Sequence, residues 1–162
     1  MLIRDVTEAD WPHIWPFLRD ICRAGETFTY PLDITGRQGR DYWLLSAPGR
    51  TVVAVDASGR VLGTAKMNPN QKGNGAHISS ASFMVDPAHA GRGVGRALCT
   101  EALAWAAREG YHGMQFNAVV ESNKAAVALY TSLGFRVLGT VPGGFRHPEL
   151  GPVGLHVMYR EL

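Results

Sequence analysis

The chain has 162 residues, 46% of them apolar and 19% charged, and a formal net charge of +2. That is the size and balance of one globular domain over residues 1–162, with enough chain for a substantial core, and it excludes a disordered chain. The near-neutral charge, without a basic run, leaves no footprint for nucleic acid; no apolar run nears the ~20 residues of a membrane span, and no signal segment opens the chain, so a cytoplasmic protein is expected.

Leu2 to Val6 reads as a short strand. Thr7 is then an N-cap, with Asp10 three residues on, for a helix carrying Trp11, Ile14, Trp15, Leu18 and Ile21 at helical spacing. Pro12 fits its first turn, while Pro16 is expected to kink or divide it. Ala24 to Asp33, with Gly25, Glu26, Phe28, Tyr30 and Pro31, is not a regular helix, and a second helix is expected over Asp41 to Ser46. Thr51 to Asp56 and Arg60 to Met67 read as strands joined by a turn at Ala57-Ser58-Gly59. Asn68 to Gly75 reads as a loop, and Ala76 to Val85 as the central strand. A helix from Gly93 to about Glu109 puts Val94, Leu98, Ala102 and Trp105 on one stripe and ends at Gly110. An apolar strand over Met114 to Val120, a helix over Asn123 to Leu133 and a strand over Phe135 to Val141 follow. A Pro- and Gly-rich loop from Pro142 to Gly151 then leads into a last strand, Val153 to Arg160. The order β-α-α-β-β-β-α-β-α-β-β describes an α/β chain, a mixed sheet with helices on both faces.

The chemistry concentrates where the central strand meets the third helix. Gly91, Gly93 and Gly95 stand at alternate positions there, with Arg92 and Arg96 between and beside them. Glycines free the backbone for positive φ and leave it bare, and bare N–H groups at a helix start make an anion site. The pattern reads as a phosphate cradle, most naturally for a pyrophosphate. It is not a P-loop, because no Gly-Lys-Ser/Thr follows. As a dinucleotide-binding turn it fits at Gly91 and Gly93 and fails at the third glycine, where Arg96 stands. Ala90 to Gly95 instead resembles the Q/R-x-x-G-x-G/A turn of the GNAT superfamily of acetyltransferases, with Ala90 in place of the leading Gln or Arg. A second stretch is similar to that superfamily's other signature: Asn123 at a helix start, then Ala126, Tyr130, Gly134 and Phe135.

The resemblance covers nearly the whole chain. It implies a GNAT-like fold with a mostly antiparallel sheet, and an N-acetyltransferase moving acetyl from acetyl-CoA to a primary amine of a small molecule, directly, in a ternary complex. Within it, Met84 and Val85 would offer backbone groups to the pantetheine arm, with the Val85 N–H facing the developing oxyanion. Gly91, Arg92, Gly93, Val94, Gly95 and Arg96 would hold the pyrophosphate, Asn123 the arm. Tyr130 would be the general acid for the departing thiolate. Glu26, Phe28 and Tyr30 would lie by the acceptor. A homodimer is compatible with the resemblance.

Each assignment has a plainer alternative. Tyr130 lies seven residues past Asn123, nearly two turns or about 10 Å along one helix face, and could be a core residue. Asn123 could be only a helix cap, together with Ser122. Phe28 and Tyr30 could merely cover the core edge. No Asp or Glu lies between Gly75 and Val85, so the base is open among a water relay through Ser80 and Ser82, His77, Glu26 and Glu121. Arg146 and His147 could meet an acceptor carboxylate or a cofactor phosphate, or simply be exposed. The six histidines have no metal-ligand spacing, so no metal is expected. Cys22 and Cys99, far apart among apolar neighbours, read as buried free thiols. The remaining functional alternatives are acetylation of a protein or peptide amine, and a non-catalytic acyl-CoA-binding regulatory module.

Overall fold

The computed structural model describes residues 1–162. Seven strands form one sheet: β1 (Leu2–Asp5), β2 (Arg50–Val55), β3 (Val61–Pro69), β4 (Ile78–Val85), β5 (Gly113–Val120), β6 (Arg136–His147) and β7 (Gly151–Glu161). Their order is β1-β2-β3-β4-β5-β7-β6. All neighbours are antiparallel except β4 and β5. The four α-helices are α1 (Trp11–Ala24), α2 (Gly36–Trp43), α3 (Val94–Arg108) and α4 (Lys124–Ser132).

Strand periodicity divides the core in two. Val53 and Val55 of β2 join Ile14, Leu18 and Trp43 of α1 and α2 on one face, while Val52 and Ala54 join Leu98, Ala102 and Trp105 of α3 on the other. Successive side chains of a strand point to opposite faces, so one apolar run serves both clusters. Val127, Tyr130 and Leu133 place α4 beside α3. The α3 stripe expected from spacing (Val94, Leu98, Ala102, Trp105) is buried throughout, and both cysteines are buried and free.

Three local expectations are corrected. Pro16 does not divide α1, which runs unbroken from Trp11 to Ala24. Pro16 is exposed, while Ile14, Phe17, Leu18 and Cys22 are buried and hold the turns around it against the sheet. The second helix is Gly36–Trp43, not Asp41–Ser46. Its start is a Thr35…Gln38 capping box, in which the Gln38 N–H donates to Thr35 Oγ1 at 3.2 Å and the Thr35 N–H to Gln38 Oε1 at 3.0 Å. Gly39 within it has a packing role: a Cβ there would come 2.7 Å from a ring carbon of Trp15. Finally, the loop expected over Pro142 to Gly151 is mostly strand: β6 continues to His147 and β7 begins at Gly151, with Pro142–Gly144 in a register shift between Val141 and Phe145. β6 lies at the sheet edge, where a residue without an N–H leaves no ladder bond unmade.

Candidate active site

The parallel pair β4–β5 is joined only at Ile78↔Gly113 and Ser79↔Met114. Beyond Ser79 the strands diverge, and a cavity of about 170 Å³ occupies the fork. Backbone direction along β4 decides which groups face it. Ile78 C=O accepts from the Asn70 N–H and the Asp86 N–H donates to Leu62 C=O, so the even-numbered residues are bonded to β3; His77 C=O accepts from the His112 N–H, so the odd ones face β5. The N–H and C=O groups of Ala81, Phe83 and Val85 therefore open into the fork. Met84 does not share that position: its backbone lies against Thr64 of β3 and its side chain is buried under α1 and α2. The expectation for Met84 passes to Phe83, because adjacent residues of a strand face opposite edges.

At the end of the open edge stands the glycine turn. The N–H groups of Gly91, Arg92, Gly93, Val94, Gly95 and Arg96 donate to no acceptor in the chain; the first helical bond is from the Ala97 N–H to Gly93 C=O. Gly91 and Gly93 have φ of 75° and 78°, a conformation that strains any residue with a Cβ. This is a row of unsatisfied donors at the positive end of a 15-residue helix, a cradle for an anion. The basic side chains are less committed to it. Arg92 Nη1 lies 3.1 Å from His89 Nδ1, and Arg96 Nη2 donates to Ser132 Oγ at 2.8 Å. Val94 is 2% exposed and can offer only its backbone.

Tyr130, Ala126 and Asn123 on one face of α4 line the other side of the fork. Asn123 Oδ1 accepts from the Ala126 N–H at 3.3 Å, so the residue caps the helix and lines the cavity together. Tyr130 packs on Phe116 (ring centroids 4.6 Å apart), Phe83 and Phe135 (both 6.0 Å). Its hydroxyl has no hydrogen-bond partner within the chain, and burial, aided by the Cys99 thiol, pushes its pKa well above the usual phenol value. A phenol so held stays protonated at neutral pH and is an available donor.

The roof is the segment after α1. Thr27, Phe28, Thr29 and Tyr30 line the cavity, with Phe28 and Tyr30 rings 5.5 Å apart and Phe28 edge-on to Trp43 at 6.1 Å. Burial pushes the Tyr30 phenol up to about 12. Glu26 is exposed and outside this lining.

None of the ionisable base candidates reaches the cavity. His77 lies at the closed end of the fork, stacked edge-on against His112 at 5.4 Å. Glu121 is turned to the sheet, where its Oε2 accepts from the Gly154 N–H at 2.9 Å. Ser80 and Ser82 do line the cavity. Arg146 is exposed, and His147 Nδ1 accepts from the Glu149 and Leu150 N–H groups in the β6–β7 turn. The thiols are not available as nucleophiles: burial raises Cys22 to about 11 and Cys99 to about 12. Sequence reading missed Asn117, which lines the cavity, donates to Asn70 Oδ1 at 2.6 Å and accepts from Gln115 Nε2 at 2.9 Å. Its signal was a pair of carboxamides alternating with apolar residues in Met114–Val120.

No helix is long and apolar enough to cross a membrane, and no group of His, Cys, Asp and Glu is arranged to hold a metal. A structure described as a GCN5-related N-acetyltransferase from Kribbella flavida is 57% identical, with a TM-score of 0.97 over 99% of this chain and 97% of that one. A structure of the same fold from Salmonella typhimurium, 24% identical with a TM-score of 0.82 over 100% of this chain and 94% of that one, is solved with acetyl-CoA. Among curated proteins, N-acetyltransferase aca1 of Schizosaccharomyces pombe is 29% identical over 70% of this chain, and the N-alpha-acetyltransferase RimI of Mycobacterium tuberculosis 33% over 59%. The matched regions span 62% and 58% of those two relatives. The family model for the acetyltransferase (GNAT) family matches residues 10–135, which hold strands β2 to β5 and both signature stretches, and the chain belongs to that family of acyltransferases.

Proposed function

We propose that this protein transfers an acetyl group from acetyl-CoA to a primary amine of a small molecule, directly, within a ternary complex. The observation that carries the reading is the open edge of β4, continuous at one end with the unpaired N–H groups of Gly91–Arg96 and faced across the cavity by the free hydroxyl of Tyr130. The N–H and C=O groups of Phe83 and Val85 would bond the pantetheine amides, and the cradle would take the pyrophosphate. Asn123 would steady the arm from α4. Bound acetyl-CoA supplies the activated acyl group. The chain supplies N–H donors on β4 for the carbonyl oxygen as it gains charge, and the Tyr130 proton for the departing sulfur. The amine proton leaves through water held by Ser80 and Ser82, since the cavity holds no carboxylate or imidazole.

The test is thiol release from acetyl-CoA across a panel of small primary amines, with the acetylated product identified by mass. Turnover of a small amine supports the reading, and its absence over the whole panel overturns it. A second reading, acetylation of a protein N-terminus, is favoured by the similarity to RimI. Short peptides with free α-amines in the same assay separate the two: a kcat/KM for peptides above that of every small amine selects the second.

A further inference from the structure

Beside the fork, against the ring of the lining residue Tyr30, stands one cation that no carboxylate pairs. Cross-strand partners share a face of the sheet, so Lys66↔Ser82 and Asn68↔Ser80 stand with Thr64↔Met84 on the α1–α2 face. Trp43 of α2 fixes that orientation by donating its Nε1–H to Thr64 Oγ1 at 3.0 Å. The Lys66 ammonium lies 5.5 Å from the ring centroids of both Tyr30 and Trp43 and donates to Tyr42 C=O at 2.8 Å. Of its three N–H donors that uses one. No carboxylate pairs with it, and its partial burial pulls its pKa below the usual lysine value. Tyr30 and Ser82, its neighbours, both line the cavity, whose other polar groups are Thr27, Thr29, Ser80, Asn117, Asn123 and Tyr130, all of them uncharged.

A site for a polyamine or another cationic acceptor would need acids in such a wall, and this one has none. A cation beside the cavity with no carboxylate partner repels a second positive charge and attracts an anion. We propose that Lys66 anchors an anionic group of the acceptor, so that the acceptor is an amino-carboxylate, a free α-amino acid or a close analogue, held by its carboxylate at Lys66 and by its amine in the fork. The inference rests on the transferase reading and narrows its substrate class.

The experiment compares free amino acids bearing apolar side chains with their primary carboxamides as acceptors, for the unaltered protein, Lys66→Gln and Lys66→Arg. The unaltered protein should prefer the acids. Lys66→Gln should raise KM for the acids roughly ten- to a hundredfold, as loss of one charged hydrogen bond does. It should leave the carboxamides and the KM of acetyl-CoA unchanged, and Lys66→Arg should restore part of the preference. Equal use of acids and amides by the unaltered protein overturns the anchor. So does an equal loss for both in Lys66→Gln, which would mean that Lys66 only caps α2. If no amine of either kind is turned over, the transferase reading fails separately. The anchor is then read with N-acetyl amino acids and CoA: a rise in Tm with the acid but not the amide, lost in Lys66→Gln, sustains it, and equal shifts overturn it.

Discussion

The two sides of the fork are built by different means. The side proposed for the donor is backbone: the free edge of Ala81–Val85, then the N–H groups of Gly91–Arg96 at the head of α3. The facing side, proposed for the acceptor, is side chains from separated segments, Phe28 and Tyr30 after α1, Ser80 and Ser82 on β4 and Asn117 on β5, with Lys66 of β3 against the Tyr30 ring. Backbone donors come with a turn's conformation and tolerate almost any neighbouring side chain. A wall of side chains changes with each substitution while the sheet beneath it stays. One frame can therefore keep its donor and vary its acceptor.

The comparison breaks first at Tyr130, which α4 brings to the line between the two sides. Tyr130→Phe keeps the ring on Phe116 and removes the hydroxyl. It should lower kcat by about 10²–10⁴-fold, some 3–5 kcal/mol of barrier, with acetyl-CoA affinity little changed. Steady-state kinetics with a good acceptor, under conditions where chemistry limits the rate, checks this; an unaltered kcat would make Tyr130 a core residue.

Gly93→Val attacks the donor side alone. With φ at 78°, a Cβ-bearing residue should cost about 1–2 kcal/mol of stability and spoil the N–H array. Acetyl-CoA at ~100 times its Kd should stabilise the unaltered protein by about 2.7 kcal/mol, and the variant hardly at all. Equal ligand-induced shifts in thermal melting would show that the cradle binds nothing.

Asp10 probes the scaffold of the acceptor side. Its carboxylate accepts from Arg4 at 2.8 Å and from the Thr7 N–H at 2.7 Å just ahead of α1, and the Arg4 bond holds its pKa down at about 2. A depressed folded-state pKa stabilises the fold above the ordinary value of ~3.9 and loses that effect as pH falls toward 2. Asp10→Asn should therefore cost about 2 kcal/mol at pH 7 and progressively less as pH falls through 2, with the acetyl-CoA shift intact. Denaturant titrations at several pH values read both.

The smallest effect belongs to the thiols. With Cys22 and Cys99 held protonated, alanine at both should leave kcat within about twofold, which is ~0.4 kcal/mol of barrier. A trapped acetyl-thioester on the protein, together with a large loss of rate, would replace direct transfer by a two-step route.

What the sequence determined by itself was local. The glycine turn before α3, the Asn123 cap, the Tyr130 face of α4 and the apolar stripes of α1 and α3 were legible, because each is set by residues within a turn or two of one another. The second helix is misplaced at Asp41–Ser46 by sequence alone: its real start carries Gly36 and Gly39, poor helix formers by themselves, and the packing of Trp15 on them is tertiary. Tertiary structure decided the rest. The end of β4–β5 pairing at Ser79 depends on strands joined through α3, and the edge to which Met84 or Phe83 turns follows from register with β3. Lys66 had no local signal at all, since a lysine in a strand ordinarily points to water. Only the packing of α2 and Tyr30 over it, from more than twenty residues away, left its charge beside the cavity without a carboxylate partner.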